Sequence, residues 1–171
     1  ELRQTHFRLL REAVAASGGV EVKNLGDGLM VMYTSTSQAL EGAVAMQQSV
    51  DRHNRSGAEP LGIRIGVSVG EATEDDHDYF GDPVVEAARL CAAAGGGQVL
   101  ASEVVRSLTR RGGTHTFADV GPLELKGIPD PVEVVEVGGR SLGELQGRTD
   151  PVQYGLGDTG PVAPFEPDVV R

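Results

Sequence analysis

Lys23 and Asp27 are four positions apart in the stretch Val20–Tyr33, and both side-chain types take part in phosphate chemistry. Asp27 is framed by Gly26 and Gly28, so a ligand can approach the backbone around it. Mg²⁺ commonly binds through one or two carboxylates together with substrate phosphates, which suits an aspartate on such a turn. Aspartate is also an ordinary turn residue, because its short side chain hydrogen-bonds the local backbone. On these residues alone both readings of Asp27 stay open.

Other groups with chemical potential weigh less. Gly66-Val67-Ser68-Val69-Gly70 has the spelling of a nucleophile elbow, but that device needs a strand, a sharp turn at the serine and then a helix. Ser68 instead falls within an alternating strand pattern, followed by an acidic loop, and reads as a strand serine. Gly155-Leu156-Gly157-Asp158-Thr159-Gly160 has the spelling of a dinucleotide loop, yet Pro161 and the Gly/Pro surroundings supply neither the strand nor the helix it requires. His6, His53, His77 and His115 show no ligand spacing and read as surface residues. Cys91 reads as a small buried residue, and a single cysteine excludes an internal disulfide or a cysteine-type zinc site. Glu74-Asp75-Asp76 reads as a solvated charged loop.

The elements that must position these groups are legible from periodicity. Leu2, Phe7, Leu10 and Val14 predict a helix over Leu2–Ala16, stopped by Ser17-Gly18-Gly19. Val20–Tyr33 predicts a hairpin about Gly26-Asp27-Gly28. Ser35-Thr36-Ser37 offers a cap for a helix over Ala39–Arg55, with Ala39, Ala43, Met46 and Val50 inside. Leu61–Val69 alternates as a strand and Gly70–Asp78 reads as a loop. Asp82 and Pro83 open a helix to Ala94, with Asp82 as its cap. Gln98–Ala101 is a strand, Ser102 caps a helix to Arg110, Thr116–Val120 and Glu124–Lys126 are weaker strands, and Val132–Val137 is a clear one.

The 171 residues, 39% apolar with no Trp, suit one domain with a real core over residues 1–138 and a Gly/Pro-rich tail or linker over 139–171. A net charge of −10 disfavours nucleic acid as a partner. No apolar run approaches the ~18 residues of a membrane span and no signal peptide is visible, so the expectation is a cytoplasmic domain without membrane contact. The order is α+β, a sheet with helices packed on it. A strand before Glu1 would complete the ferredoxin-like βαββαβ order, and the helix at Leu2 needs a sheet to cover, so the first strand is expected to be missing from this sequence.

Val22-Lys23-Asn24-Leu25-Gly26-Asp27-Gly28-Leu29-Met30-Val31, then Arg64-Ile65-Gly66-Val67 with Gly70-Glu71, then Asp78-Tyr79-Phe80-Gly81 with Ala87-Ala88-Arg89-Leu90, then Leu125-Lys126-Gly127, resemble the class III adenylate/guanylate cyclase catalytic domain. The match runs from about Leu2 to Val137. The resemblance implies a ferredoxin-like core extended by a C-terminal subdomain. It also implies conversion of a nucleoside triphosphate to a cyclic nucleotide and pyrophosphate. Two Mg²⁺ or Mn²⁺ ions are then expected on two aspartates, of which Asp27 matches the second. Lys23 and Asp78 match the pair that reads adenine, which implies ATP as substrate. Arg89 matches the arginine that stabilises charge on the reacting phosphate. Lys126 matches a phosphate-contacting lysine, although Ile128 stands where some members carry another. The sites form in a head-to-tail homodimer, so Asp27 of one copy would work with Lys23, Asp78 and Arg89 of the other.

Two positions depart from the pattern. The first metal aspartate belongs upstream of the opening helix, outside this sequence. Val85 stands where the family places a ribose-orienting asparagine, and Glu86 beside it points about 100° away around the helix. The expectation is an adenylate cyclase domain in a longer signalling protein. The alternative is a catalytically degenerate cyclase-homology module that binds nucleotide, dimerises or regulates.

Overall fold

The computed structural model describes residues 1–109 and 115–138. The expected tail at 139–171, its Gly155–Gly160 motif and Arg110 lie outside the described residues. The elements in chain order are α1 (Leu2–Ala16), β1 (Val20–Asn24), β2 (Leu29–Met32), α2 (Thr36–Arg55), β3 (Ile65–Val67), β4 (Thr73–Asp75), β5 (Asp78–Phe80), α3 (Asp82–Ala93), β6 (Val99–Ser102), α4 (Glu103–Thr109), β7 (Thr116–Leu123) and β8 (Val132–Gly138).

Local chemistry sets the helix ends. The Ser17 hydroxyl donates to the Ala13 carbonyl at 2.8 Å, satisfying an end group of α1, and Gly18 turns the chain away with φ +76°. The Ser35 hydroxyl accepts the Gln38 N–H at 3.4 Å and starts α2. Apolar residues at helical spacing then bury one face of each helix: Phe7, Leu10, Ala13 and Val14 on α1, and Leu40, Ala43, Met46 and Val50 on α2.

The fold is α+β with a mixed sheet. A four-stranded sheet runs β3-β6-β8-β7, and β1-β2 and β4-β5 form separate antiparallel pairs. β3 and β6 pair in parallel, a connection that needs a crossover, and α3 supplies it. Leu29 and Val31 of β2 and Ile65 of β3 pack against one buried cluster formed by Leu10, Ala13, Val14, Met46, Val50 and Ile63. No ladder joins β2 to β3 among the described residues. The hairpin therefore meets the larger sheet through side chains under α1 and α2.

Four local expectations shift. Gly70–Asp78 is not all loop. It carries the β4-β5 hairpin, whose turn residues Asp76 and His77 have φ +47° and +63°, the double positive-φ pattern of a type I′ turn. All of β4 is exposed, so no apolar alternation marked it. The strand expected over Leu61–Val69 is laddered only at Ile65–Val67. Glu124–Lys126 lies in the loop after β7, while the expected Thr116–Val120 strand extends to Leu123 across a bulge between Asp119 and Gly121. Gly81 caps α3, and Asp82 is its first residue.

A tight joint between α3 and β3 lies at Gly66. A Cβ there would collide with the Ala87 carbonyl and the Cys91 N–H of α3, both backbone groups that no side-chain rotation can move. Gly66→Ala should therefore push α3 off β3 and cost about 1–3 kcal/mol in urea unfolding. Unchanged stability would show that α3 slides on the strand without penalty.

Candidate functional site

Asp27 sits at the tip of the β1-β2 hairpin. The Leu25 N–H donates to the Gly28 carbonyl at 2.8 Å, which makes Gly26 and Asp27 the two central turn residues. Gly26 has φ +96°, a conformation that glycine adopts without strain. The Asn24 side-chain oxygen accepts the Gly26 N–H at 2.8 Å and braces the same turn. No atom comes within 4 Å of where a Cβ would stand at Gly26 or Gly28, so the Asp27 carboxylate projects from an open tip. Its charge reaches two neighbouring helices. On α1, burial lowers the His6 pKa and Asp27 offsets part of that effect. On α3, burial raises the Cys91 pKa, and Asp27 adds to the rise while Arg64 opposes it. The half-buried Cys91 thiol donates to the Arg64 carbonyl at 3.3 Å.

Lys23 and Asp78 meet across β1 and β5. Lys23 Nζ lies 2.5 Å from Asp78 Oδ2, with 32% and 19% of the two side chains exposed, so water only partly screens the pair. The ladder register shifts between Glu21 and Lys23, so Val22 is an extra bulge residue, a device that re-aims neighbouring side chains. Glu21 accepts two hydrogen bonds from Arg11 of α1, at 2.7 and 2.8 Å, whereas Lys23 is committed to β5. The Tyr79 N–H donates to Asp78 Oδ1 at 2.8 Å. The bond from Lys23, followed by that from Tyr79, holds the Asp78 carboxyl below its ordinary range.

Arg89 lies on α3. Its Nε is buried without a hydrogen-bond acceptor, and the guanidinium has no carboxylate within ion-pair distance among the described residues. Val85 is 41% exposed, so packing does not require valine there. Glu86 turns toward β3 and accepts a 2.6 Å hydrogen bond from the Ser68 hydroxyl. Lys126 stands in the exposed loop between β7 and β8. The fold thus brings Lys23 and Asp78 into contact, while no described hydrogen bond or ion pair joins Asp27, Arg89 or Lys126 to that pair.

No group of three or more His, Cys, Asp or Glu side chains able to hold a metal ion occurs among the described residues. Asp27 fits Mg²⁺ or Mn²⁺ held by one protein carboxylate plus phosphate oxygens, and not a closed protein cage. Sequence reasoning missed the electrostatic reach of Asp27 to His6 and the Ser68–Glu86 bond. Neither pair is close in sequence, so only the fold could reveal them.

The family described as the adenylate and guanylate cyclase catalytic domain matches residues 1–138. The chain belongs to this family and is a nucleotidyl cyclase catalytic domain. It is 35% identical over 128 residues to a putative adenylate cyclase 3 of Rhizobium meliloti, covering 74% of this chain and 22% of that protein. Its structure is similar to the crystal structure of an adenylate/guanylate cyclase/hydrolase from Silicibacter pomeroyi, with a TM-score of 0.73, 31% identity, and coverage of 81% of this chain and 85% of that one. The adenylyl cyclase CyaB from P. aeruginosa, at 23% identity, TM-score 0.66 and 82% coverage of each chain, shares the fold. The curated relatives are longer proteins, of which this chain spans about a fifth to a third in the first matches, 22% and 32%. No helix among the described residues is long and apolar enough to cross a membrane.

The Lys23–Asp78 pair makes a pH prediction. A depressed carboxylate pKa contributes stability that is fully present above the ordinary carboxylate value and is lost as pH falls through the lower folded value. The Asp78 carboxyl ¹³C resonance should titrate below the ordinary aspartate range, and Lys23→Met should move it back up. An unchanged midpoint in Lys23→Met would assign the shift to other groups.

Proposed function

We propose that this domain converts ATP to 3′,5′-cyclic AMP and pyrophosphate at a homodimer interface, using Mg²⁺ or Mn²⁺. The observation that carries the reading is the Lys23–Asp78 contact, a cationic donor and an anionic acceptor side by side. Adenine offers an acceptor at N1 and a donor at its amino group, which Lys23 and Asp78 would meet. Guanine offers a donor at N1 and an acceptor at O6, so the same pair would face two mismatches.

In this reading the Asp27 carboxylate holds metal from the open hairpin tip, and the second carboxylate lies on a strand beyond this sequence. Among the described residues no ladder joins β2 to β3, so such a strand would pair there. Bound metal would neutralise the triphosphate and acidify the ribose 3′-hydroxyl. Arg89, whose buried Nε lacks an acceptor, stabilises charge on the reacting phosphate, and Lys126 contacts phosphate from its exposed loop. Asp27 of one copy serves the site that contains Lys23, Asp78 and Arg89 of the other. The negative net charge is compatible with an anionic substrate, because the metal and these cations supply local positive charge.

Val85 favours a second reading, a degenerate module that binds nucleotide, dimerises or regulates attached domains, because valine cannot orient a ribose by hydrogen bonding. Cyclic AMP formation by the full-length protein with Mn²⁺ and ATP separates the two. Asp27→Ala should lower it by about 100-fold or more, and absence of product from the parent protein would sink the enzyme reading. Lys23→Glu with Asp78→Cys should shift preference toward GTP; an unchanged preference would refute their role in reading the purine. Val85→Asn should raise turnover about tenfold at little cost in stability, as a hydrogen bond to the reacting nucleotide predicts.

A further inference from the structure

Ser68 belongs to the elbow-like motif that the proposed activity does not use, yet its hydroxyl makes a short bond to a carboxylate, 2.6 Å to Glu86. Glu86 and Arg89 are three positions apart on α3, the spacing at which a carboxylate and a guanidinium on one helix can pair. They form no ion pair. Arg89 Nε is buried without an acceptor, although an orphaned buried donor is costly and the nearest carboxylate in sequence stands one helical turn away. Gly66, two residues before Ser68, lets α3 lie directly on the β3 backbone, which brings the Ser68 hydroxyl within reach of the helix.

We infer that Ser68 is a positioning residue that holds the Glu86 carboxylate toward β3 and so keeps Arg89 unpaired for a phosphate. The inference rests on the reading of Arg89 as a phosphate-binding group. Without the serine hydroxyl, Glu86 loses its partner just beyond β3 and can rotate to Arg89. The guanidinium would then meet an internal anion before any substrate arrived, and an incoming phosphate would have to displace it. Ser68 thus acts on substrate binding through two side chains, without touching the nucleotide.

The test uses the parent chain, Ser68→Ala, Ser68→Thr, Glu86→Gln and the Ser68→Ala/Glu86→Gln double variant. The first readout is the ¹⁵N–¹H resonance of Arg89 Nε, assigned through Arg89→Lys. Ser68→Ala should move it toward the position of a carboxylate-bonded guanidinium and slow its exchange with water. Ser68→Thr, which keeps the hydroxyl, and the double variant, which removes the carboxylate charge, should return it to the parent position. The second readout is calorimetric affinity for inorganic pyrophosphate. Ser68→Ala should weaken it about two- to fivefold, the range expected when an exposed or half-exposed helical ion pair competes, and the double variant should recover it.

A merely structural role for Ser68 predicts the same loss whether or not Glu86 keeps its charge. An Arg89 resonance unmoved by Ser68→Ala, or a double variant that matches the single one, overturns the inference. Should Ser68→Ala fail to fold, Ser68→Cys, nearly isosteric and a weak donor, poses the same question. Equal pyrophosphate affinity in the parent and Arg89→Ala would instead overturn the functional reading of Arg89, and the resonance would still decide whether Ser68 holds Glu86.

Discussion

The domain depends on one shared apolar cluster. Leu29 and Val31 arrive from the hairpin, Ile65 from the larger sheet with Ile63 just before it, and Leu10, Val14, Met46 and Val50 close over them from α1 and α2. No backbone ladder connects β2 with β3 among the described residues, so this burial fixes where the hairpin stands. Each fully buried residue of this size contributes about 1.5–3 kcal/mol. The hairpin tip and Asp27 are therefore placed by packing some distance away, and the tip itself touches little.

Ion pairs refine that placement. Arg11–Glu21 ties α1 to β1, and Lys23–Asp78 ties β1 to β5, from opposite sides of the bulge at Val22. A regular strand would have set Glu21 and Lys23 on the same face, since side chains alternate with a period of two. The bulge lets neighbouring strand positions serve two tasks, one toward the opening helix and one toward the β4-β5 hairpin. β5 in turn packs against α3, so the purine-reading candidates and the Arg89 helix belong to one connected region.

Charge is managed locally in a chain of net −10. Arg11 and Lys23 have carboxylate partners, and Arg106 is shared between Glu103 and Asp119. Arg89 has no carboxylate partner among the described residues, and its Nε is buried without an acceptor. The Glu86 carboxylate, three positions before Arg89 on α3, accepts instead from the Ser68 hydroxyl.

By itself the sequence determined most of the fold. Helix periodicity and caps located α1, α2 and α3 to within a few residues, because an amphipathic face and its end groups are local properties. Glycine-flanked Asp27, with Lys23, Asp78, Arg89 and Lys126, was legible only as a resemblance in ordered motifs, since no single motif was specific. The β4-β5 hairpin was not legible, because its exposed acidic residues show no apolar alternation and its turn uses Asp76 and His77 instead of glycine. Only the tertiary structure decided that Lys23 meets Asp78, that His6 feels Asp27, and that Ser68 engages Glu86. The physical reason is that each contact joins elements whose separation is set by side-chain packing, and packing distances are not written in local spacing.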